Sequence, residues 1–481
     1  MQRTIPQSIR REWLALCSGY GRPYTARDRQ SALLLHRLCT GDNPHRVRAR
    51  NELRAQSSGD AAGQEASQKP VITKFKNPFK PGAGHMPPYL AGRAQEERDF
   101  EKLLEQDVIL KNLVLTGLRG LGKTVLLETF KPIAIQEGWL WAGADLSEST
   151  SITEDNLATR LLTDLSVITS SMEIGAIERP KFGITVETER VATNLDFEVL
   201  CKIYQSVPGL VSDKLKGVLE FAWAVVEKHG KRGVIFAYDE AQNLADHATN
   251  NQFPLSLLLD LFQSIQRKEI PFMLALTGLP TLFPKLVEAR TFAERMFQVI
   301  FLEPLNEEET IQAITKPITD KKCPVQLTPA SVNVIWEVTH GYPYFIQYVC
   351  REVYDIWVQY TETGTSMNAV PMEGIMRKLD TDFFAGRWAR VTDRQRELMW
   401  VVSTLENYQS EFTVQEIVES NSNKGLVKPF TSSHVNQMLS TLCDSGIVYK
   451  NRHGKYSYAV PLLGEFIKRQ QHPKTKQTEP A

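Results

Sequence analysis

The fold is decided by one stretch of the sequence, Gly117-Leu-Arg-Gly-Leu-Gly-Lys-Thr124. It fits the pattern G-x-x-x-x-G-K-[ST], whose glycines let a loop curl so that its main-chain N–H groups point at phosphate oxygens. The short apolar run Asn112–Thr116 precedes the loop, and a helical pattern follows from Lys123. A strand, a loop and a helix in this order form an anion site, because the positive end of the helix dipole faces the loop.

The residues of this loop have predicted roles in binding ATP. Lys123 would reach the β- and γ-phosphates, and the Thr124 hydroxyl would bind Mg²⁺. The predicted nucleotide-binding residues are Gly117, Gly120, Leu121, Gly122, Lys123, Thr124 and Val125. The alternative is an ordinary glycine-rich turn, which the flanking strand and helix disfavour.

Two later apolar runs end in polar residues suited to the same chemistry. The run Gly233–Tyr238 is followed by Asp239 and Glu240. We expect Asp239 to hold Mg²⁺ and Glu240 to act as the general base that activates water. Thr277 closes the next run and could hydrogen-bond the water or the γ-phosphate, although threonine is also common in strands for structural reasons.

The alternation of apolar runs with helical patterns predicts an α/β fold with a parallel sheet, and an all-helical pattern after it predicts a lid. Three helices and a hairpin at the C-terminal end predict a winged helix. The expected divisions are an Arg-rich, disordered extension at 1–70, a P-loop core at 71–304 with a helical insertion at about 150–230, a helical lid at 305–390, a winged helix at 391–470 and a tail at 471–481.

Composition limits the classes of partner. The 481 residues include 56 basic and 56 acidic side chains, so bulk charge favours neither nucleic acid nor an anionic membrane. No apolar run reaches the ~18–20 residues that a membrane-spanning helix needs. The six cysteines are widely separated and show no metal-ligand spacing, so we expect reduced thiols in a cytoplasmic protein.

From residue 77 to about residue 469 the sequence resembles the AAA+ ATPases, in particular the initiator-like group of origin-recognition and archaeal-type ATPases. It looks most like bacterial ATP-binding proteins with a C-terminal winged helix. Besides the loop, the resemblance is carried by Tyr89-Leu-Ala-Gly-Arg93, Tyr238-Asp-Glu-Ala-Gln242, Leu276-Thr-Gly-Leu-Pro280, Phe292-Ala-Glu-Arg-Met296 and Thr339-His-Gly-Tyr-Pro-Tyr-Phe-Ile-Gln347.

The resemblance implies an ATP hydrolase that uses Mg²⁺. It assigns Thr277 as sensor 1 and Arg295 as an arginine finger that reaches a neighbouring subunit, which implies a homo-oligomer; Arg290 is a competing candidate. Related ATPases often carry a sensor-2 arginine in the lid where this chain has Tyr344. This difference favours slow turnover.

The predicted winged helix leaves two outputs open. Ser433, Asn436 and Gln437 could read base edges, and Lys450, Arg452 and Lys455 could contact phosphates. However, residues 431–444, the candidate recognition helix, contain no lysine or arginine, and phosphate contacts supply most non-specific affinity for DNA. The sequence therefore predicts an ATPase that drives or switches an assembly state, with DNA as one partner of the winged helix. The alternative is a slow signal-transducing switch that docks protein there.

Overall fold

The computed structural model describes residues 76–181, 187–321, 323, 325–362, 369–452 and 454–470. The predicted extension at 1–70 and the tail at 471–481 lie outside them. Within the described ranges, every helix is too short or too polar to cross a membrane.

A five-stranded parallel sheet forms the core of the described chain. Its strands, in chain order, are β1 (Asn112–Thr116), β2 (Trp139–Ala142), β5 (Gly233–Tyr238), β6 (Phe272–Gly278) and β7 (Phe297–Phe301). They lie side by side in the order β2-β5-β6-β1-β7. All residues of β1, β5 and β6 are buried, as expected for strands covered on both faces by helices. The predicted α/β parallel-sheet fold is confirmed.

Eight helices surround this sheet. They are α1 (Ala94–Leu104), α2 (Lys123–Gln136), α3 (Glu154–Thr169), α4 (Phe197–Ser206), α5 (Val211–Lys228), α6 (Pro254–Gln266), α7 (Leu282–Ala289) and α8 (Ala293–Met296). On one face, Leu115, Ile235 and Ala275 pack with residues of α1 and α2. On the other face, Val114 and Phe236 pack with residues of α3, α5 and α6. Alternate residues of each strand therefore point toward or away from α2.

The insertion at about 150–230 is not wholly helical, so that prediction needs correction. Between α3 and α4 the chain forms an antiparallel hairpin, β3 (Glu173–Lys181) and β4 (Glu187–Asn194). Its sequence is short and mostly polar, so its period-2 signal is weaker than the helical periodicity on either side. Threonine, valine and isoleucine, which favour strands, were the available indication.

The helical lid consists of α9 (Glu307–Asp320), α10 (Pro329–Thr339), α11 (Pro343–Glu362), α12 (Met372–Leu379) and α13 (Ala385–Trp388). A π-helical turn, Asp380–Phe384, joins the last two into one helical segment. Gly341 separates α10 from α11: its φ is 73°, and a Cβ there would lie 2.0 Å from the carbonyl oxygen of Leu305. Only glycine fits this turn.

The predicted C-terminal winged helix is confirmed. It comprises α14 (Asp393–Ser403), β8 (Phe412–Thr413), α15 (Val414–Lys424), α16 (Ser432–Asp444), β9 (Val448–Arg452), β10 (Lys455–Tyr458) and α17 (Leu463–Gln470). The strands form an antiparallel sheet in the order β8-β10-β9. Phe345 and Tyr348 of α11 belong to the same apolar cluster as the winged-helix core. One face of α11 thus packs into the winged-helix core, while its other face packs with α9 and α10 in a separate cluster.

Candidate functional site

The loop after β1 is curled around the side chain of Lys123. The φ angles of Gly120 and Gly122 are 84° and 87°, in the left-handed region that favours glycine. The Lys123 ammonium donates hydrogen bonds to the carbonyl oxygens of Gly117 and Leu118, both at 3.0 Å. Burial is the main cause that lowers the pKa of Lys123, to about 8. A partly dehydrated cation thus sits inside the loop, where an anionic ligand would stabilise its charge.

Asp239 lies opposite the first turn of α2. The Thr124 hydroxyl donates to its carboxylate at 2.5 Å, which joins the end of β5 to the start of α2. Burial raises the pKa of Asp239, while the bond from Thr124 acts in the opposite direction. A hydroxyl and a carboxylate oxygen thus lie together beside the loop. Oxygen atoms of these two kinds are the donors that hard cations such as Mg²⁺ prefer.

Glu240 directly follows and turns the chain away from the sheet. Its φ is 51°, unusual for a residue other than glycine. Its carboxylate is exposed and accepts a hydrogen bond from the side-chain amide of Gln242. The carbonyl oxygen of that amide accepts from the N–H of Leu279 at 3.1 Å, just after β6. Gln242 therefore connects Glu240 to the strand that carries Thr277.

Thr277 lies between the loop strand and the Asp239 strand, because β6 pairs with both β1 and β5. Leu115 is its partner in β1, and Leu115 faces α2. Continuing the β5–β6 register by one residue places Thr277 opposite Asp239, at the ~5 Å spacing of neighbouring strands. The Thr277 hydroxyl is fully buried and has no hydrogen-bond partner in the described chain.

Lys123, Thr124 and Glu240 border a cleft of about 610 Å³ between the sheet domain and the lid, which is the size of a small-molecule site. Asp239 and Thr277 are not among the residues that line it. Six of the seven predicted nucleotide-binding residues line it; Gly117 does not. The opposite walls come from the segment before α1, including Tyr89, and from the lid, including Tyr344. The N–H of Tyr344 donates to the carbonyl oxygen of Gly120 at 3.1 Å, so the lid contacts the loop directly.

Three arginines of the cleft did not enter the predicted site. Arg93 is almost fully buried and donates to the carbonyl oxygens of Leu121 and Glu303, so it ties the loop to the segment that follows β7. Arg119 and Arg387 both line the cleft. Arg119 could have been recognised as a cation within the loop itself. Arg387 carries no local sequence signal, since only the folding of the lid brings it there.

Arg295 is exposed at the opposite end of the sheet. It precedes Phe297, the partner of Asn112 at the beginning of β1, whereas the loop follows the end of β1. At ~3.3 Å per residue, the two ends of β1 are about 13 Å apart. Arg295 therefore lies away from the loop of its own chain. The competing Arg290 is held by Asp260, with N–O distances of 2.8 and 2.7 Å, so it has a structural partner.

The exposed residues of α16 are polar, and they include no lysine or arginine. Ser433, Asn436 and Gln437 are all exposed there. Lys450 on the wing is exposed, and Lys455 is half-buried. This surface offers hydrogen-bonding side chains with few cations among them.

Comparisons with known proteins place this geometry in context. A model described as a domain of unknown function, DUF8462, matches residues 381–467. No curated protein matches the sequence. Among solved structures, the Walker-type ATPase of Pyrococcus abyssi is similar at 15% identity and a TM-score of 0.50, covering 79% of this chain and 96% of that one. The ORC2 protein of Aeropyrum pernix in its ADP form is 14% identical, with a TM-score of 0.48 and coverage of 82% and 100%.

The fold is similar to that of the Walker-type ATPase of Pyrococcus abyssi. The glycine-rich loop, called the P-loop below, lies at the carboxyl end of β1, which is an inner strand of the sheet, and the Asp239 strand is two positions away. The family model covers the winged helix together with the segment that contains Arg387, and leaves the P-loop domain outside.

Proposed function

We propose that this protein binds ATP with Mg²⁺ at the P-loop and hydrolyses it to switch the state of an assembly. The observation that carries the proposal is the meeting of three elements around one loop: the Lys123 ammonium inside it, the Thr124–Asp239 pair beside it, and Glu240 next in the chain. An ordinary glycine-rich turn needs none of these groups.

In the proposed complex the triphosphate displaces the loop carbonyls from Lys123, whose charge then stabilises the β- and γ-phosphates. The main-chain N–H groups at the start of α2 bind phosphate oxygens. Thr124 and Asp239 would hold Mg²⁺, which neutralises phosphate charge when bound. Their two oxygen ligands suit a metal that keeps several waters and takes its remaining ligands from the substrate.

Glu240 is the proposed general base. Its exposed carboxylate can accept a proton from a water molecule once the hydrogen bond from the Gln242 amide to this carboxylate is broken. Thr277 is proposed to hydrogen-bond that water or the γ-phosphate. Its buried hydroxyl without a protein partner supports this role, because such groups cost free energy unless something binds them.

For the output we propose a slow switch in which the lid and the winged helix respond to nucleotide and dock a protein. The lack of lysine and arginine on α16 supports this choice over duplex DNA. A titration with duplex DNA at several salt concentrations separates the two outputs. Binding that weakens steeply with salt would favour DNA.

Two variants test the site. Lys123→Ala is expected to abolish ATP binding in calorimetry, because it removes the cation at the phosphates. Glu240→Gln is expected to keep ATP affinity within about threefold and to lower phosphate release by a factor of ~10²–10⁴, the usual contribution of a general base. Lys131→Ala, an exposed change further along α2, serves as the control for both. ATP affinity that survives Lys123→Ala would refute the site, and normal turnover in Glu240→Gln would place the base elsewhere.

A further inference from the structure

Arg119 and Arg387 form a second group of cations at the cleft. Arg119 belongs to the P-loop, and Arg387 belongs to α13, in the segment that leads into the winged helix. Both side chains line the cleft, which Tyr344 and Phe383 also border. Two walls from different parts of the chain thus each bring an arginine to the proposed nucleotide site.

Arg387 is held against an aromatic wall. One of its terminal N–H groups donates to the carbonyl oxygen of Phe383 at 2.8 Å, and its guanidinium carbon lies 4.5 Å from the centre of that ring. The Phe383 ring in turn packs on Tyr344, with ring centres 5.1 Å apart. An arginine has five N–H donors, so these contacts orient the group and leave donors for a ligand.

The positive charges are not balanced locally. Among the described residues, no carboxylate forms an ion pair with Arg119 or Arg387. Burial lowers the pKa of Arg387, and the charge of Arg119 acts in the same direction. Arg119 also acts to lower the pKa of Lys123, whereas the nearby Asp239 acts to raise it. Because these cations repel one another, the cleft favours a ligand that carries several negative charges.

The winged helix approaches the same point. Gly446, in the turn between α16 and β9, lies beside Arg119: a Cβ at this glycine would be 3.7 Å from a terminal guanidinium nitrogen of Arg119. Tyr344, at the start of α11, already bonds the P-loop through its N–H but has no charge to offer a phosphate. The cation that the lid lacks at this position can therefore come from the next segment of the chain.

We propose that Arg119 and Arg387 together bind the terminal phosphate of a nucleoside triphosphate, and that this contact ties the winged helix to the nucleotide state. The inference rests on the proposed function, since it needs a nucleotide at the P-loop. A triphosphate bridges the loop and α13, whereas a diphosphate lacks the group that both arginines hold. The site thereby distinguishes ATP from ADP and passes the difference to residues 389–470.

The test compares a non-hydrolysable ATP analogue with ADP, both with Mg²⁺, by calorimetry. Arg387→Ala is expected to weaken the analogue by at least about tenfold, as for a lost charge-assisted hydrogen bond, and to change ADP affinity by less than about twofold. Arg377→Ala is the matched control, because Arg377 is an exposed arginine of the same helical segment that pairs with Glu373. It should leave both affinities unchanged. Equal weakening of both ligands by Arg387→Ala, or none, would overturn the proposal.

Arg119→Ala gives an independent reading, because the Arg119 side chain is exposed and its removal leaves the core intact. It is expected to show the same selective loss of affinity for the analogue, and this result tests the proposal if Arg387→Ala does not fold.

Hydrogen exchange supplies a second readout. The analogue, unlike ADP, should protect the main-chain amides of residues 385–388 and of the turn at Gly446 from exchange, and Arg387→Ala should remove that difference. A wild-type protein that binds neither nucleotide contradicts the proposed function itself. A wild-type protein that binds both nucleotides, together with variants that show no selective loss of affinity for the analogue, contradicts only this inference.

Discussion

Replacing Thr277 with valine is expected to change the stability of the protein and its rate of ATP hydrolysis in opposite directions. The Thr277 hydroxyl is fully buried and has no partner within the described chain. Burying such a hydroxyl without a hydrogen bond costs roughly 1–3 kcal/mol. Valine has nearly the same shape, so Thr277→Val is expected to raise the free energy of unfolding of the nucleotide-free protein by about 1 kcal/mol.

The same variant is expected to hydrolyse ATP more slowly than the wild type. If the Thr277 hydroxyl binds the attacking water or the γ-phosphate, its removal should slow phosphate release by a factor of about 10 to 100, the effect of one lost hydrogen bond in the transition state. ATP affinity should change much less. Stability is measured by urea unfolding without nucleotide, and activity by phosphate release at saturating ATP.

Thr116 provides a matched control. It is fully buried at the end of β1, and its hydroxyl also has no partner among the described residues. Its side chain points to the other face of the sheet, since the alternating Val114 packs with the cluster away from α2. Thr116→Val should therefore give a similar gain in stability with hydrolysis unchanged. Equal losses of hydrolysis in both variants, or a large loss of stability in Thr277→Val, would refute the reasoning.

Two further predictions concern charged residues. ADP affinity, measured without added metal, should fall about tenfold between pH 7 and pH 9, because the charged form of Lys123 binds phosphate and is lost as pH rises through its pKa of about 8. Calorimetry on Lys123→Arg, whose cation does not titrate in this range, should give a weaker but pH-independent affinity. Arg295→Ala should slow ATP hydrolysis at concentrations where the protein assembles, with ATP affinity unchanged. Arg290→Ala should lower stability by up to about 1 kcal/mol through its half-exposed partner Asp260, and hydrolysis that depends on Arg290 alone would reverse the two assignments.

The sheet could be predicted because its signals are local. The inner strands contain continuous apolar runs, such as residues 113–115 in β1 and 234–238 in β5. These two strands lead directly into the loop and into Asp239. The loop pattern then fixes which end of the sheet binds the ligand. The hairpin β3–β4 was missed because it lies outside this core and has no such apolar run.

The cleft was harder to predict because its lid side depends on long-range packing. Nothing near Arg387 in the sequence indicates that it faces the P-loop some 270 positions earlier. Its position follows from the packing of Phe383 and Phe384 on Phe345 of α11. Sequence patterns report the periodicity of one helix, but they do not report which helix lies opposite.

The packing of the lid on the winged helix determines which part of the chain a bound nucleotide could move. Phe345 is buried in the same cluster as the winged-helix core, and its neighbour Tyr344 bonds the P-loop. The Arg469–Asp380 ion pair also joins the last helix of the winged helix to the lid segment. A shift of α11 relative to the P-loop must therefore move the winged helix or break an apolar core. Because breaking that core would cost far more than moving a few loop contacts, the lid and the winged helix should move as one body. If nucleotide shifts α11 as proposed, the surface that would change position is that of the lid and the winged helix together, and a partner that responds to the switch would bind there.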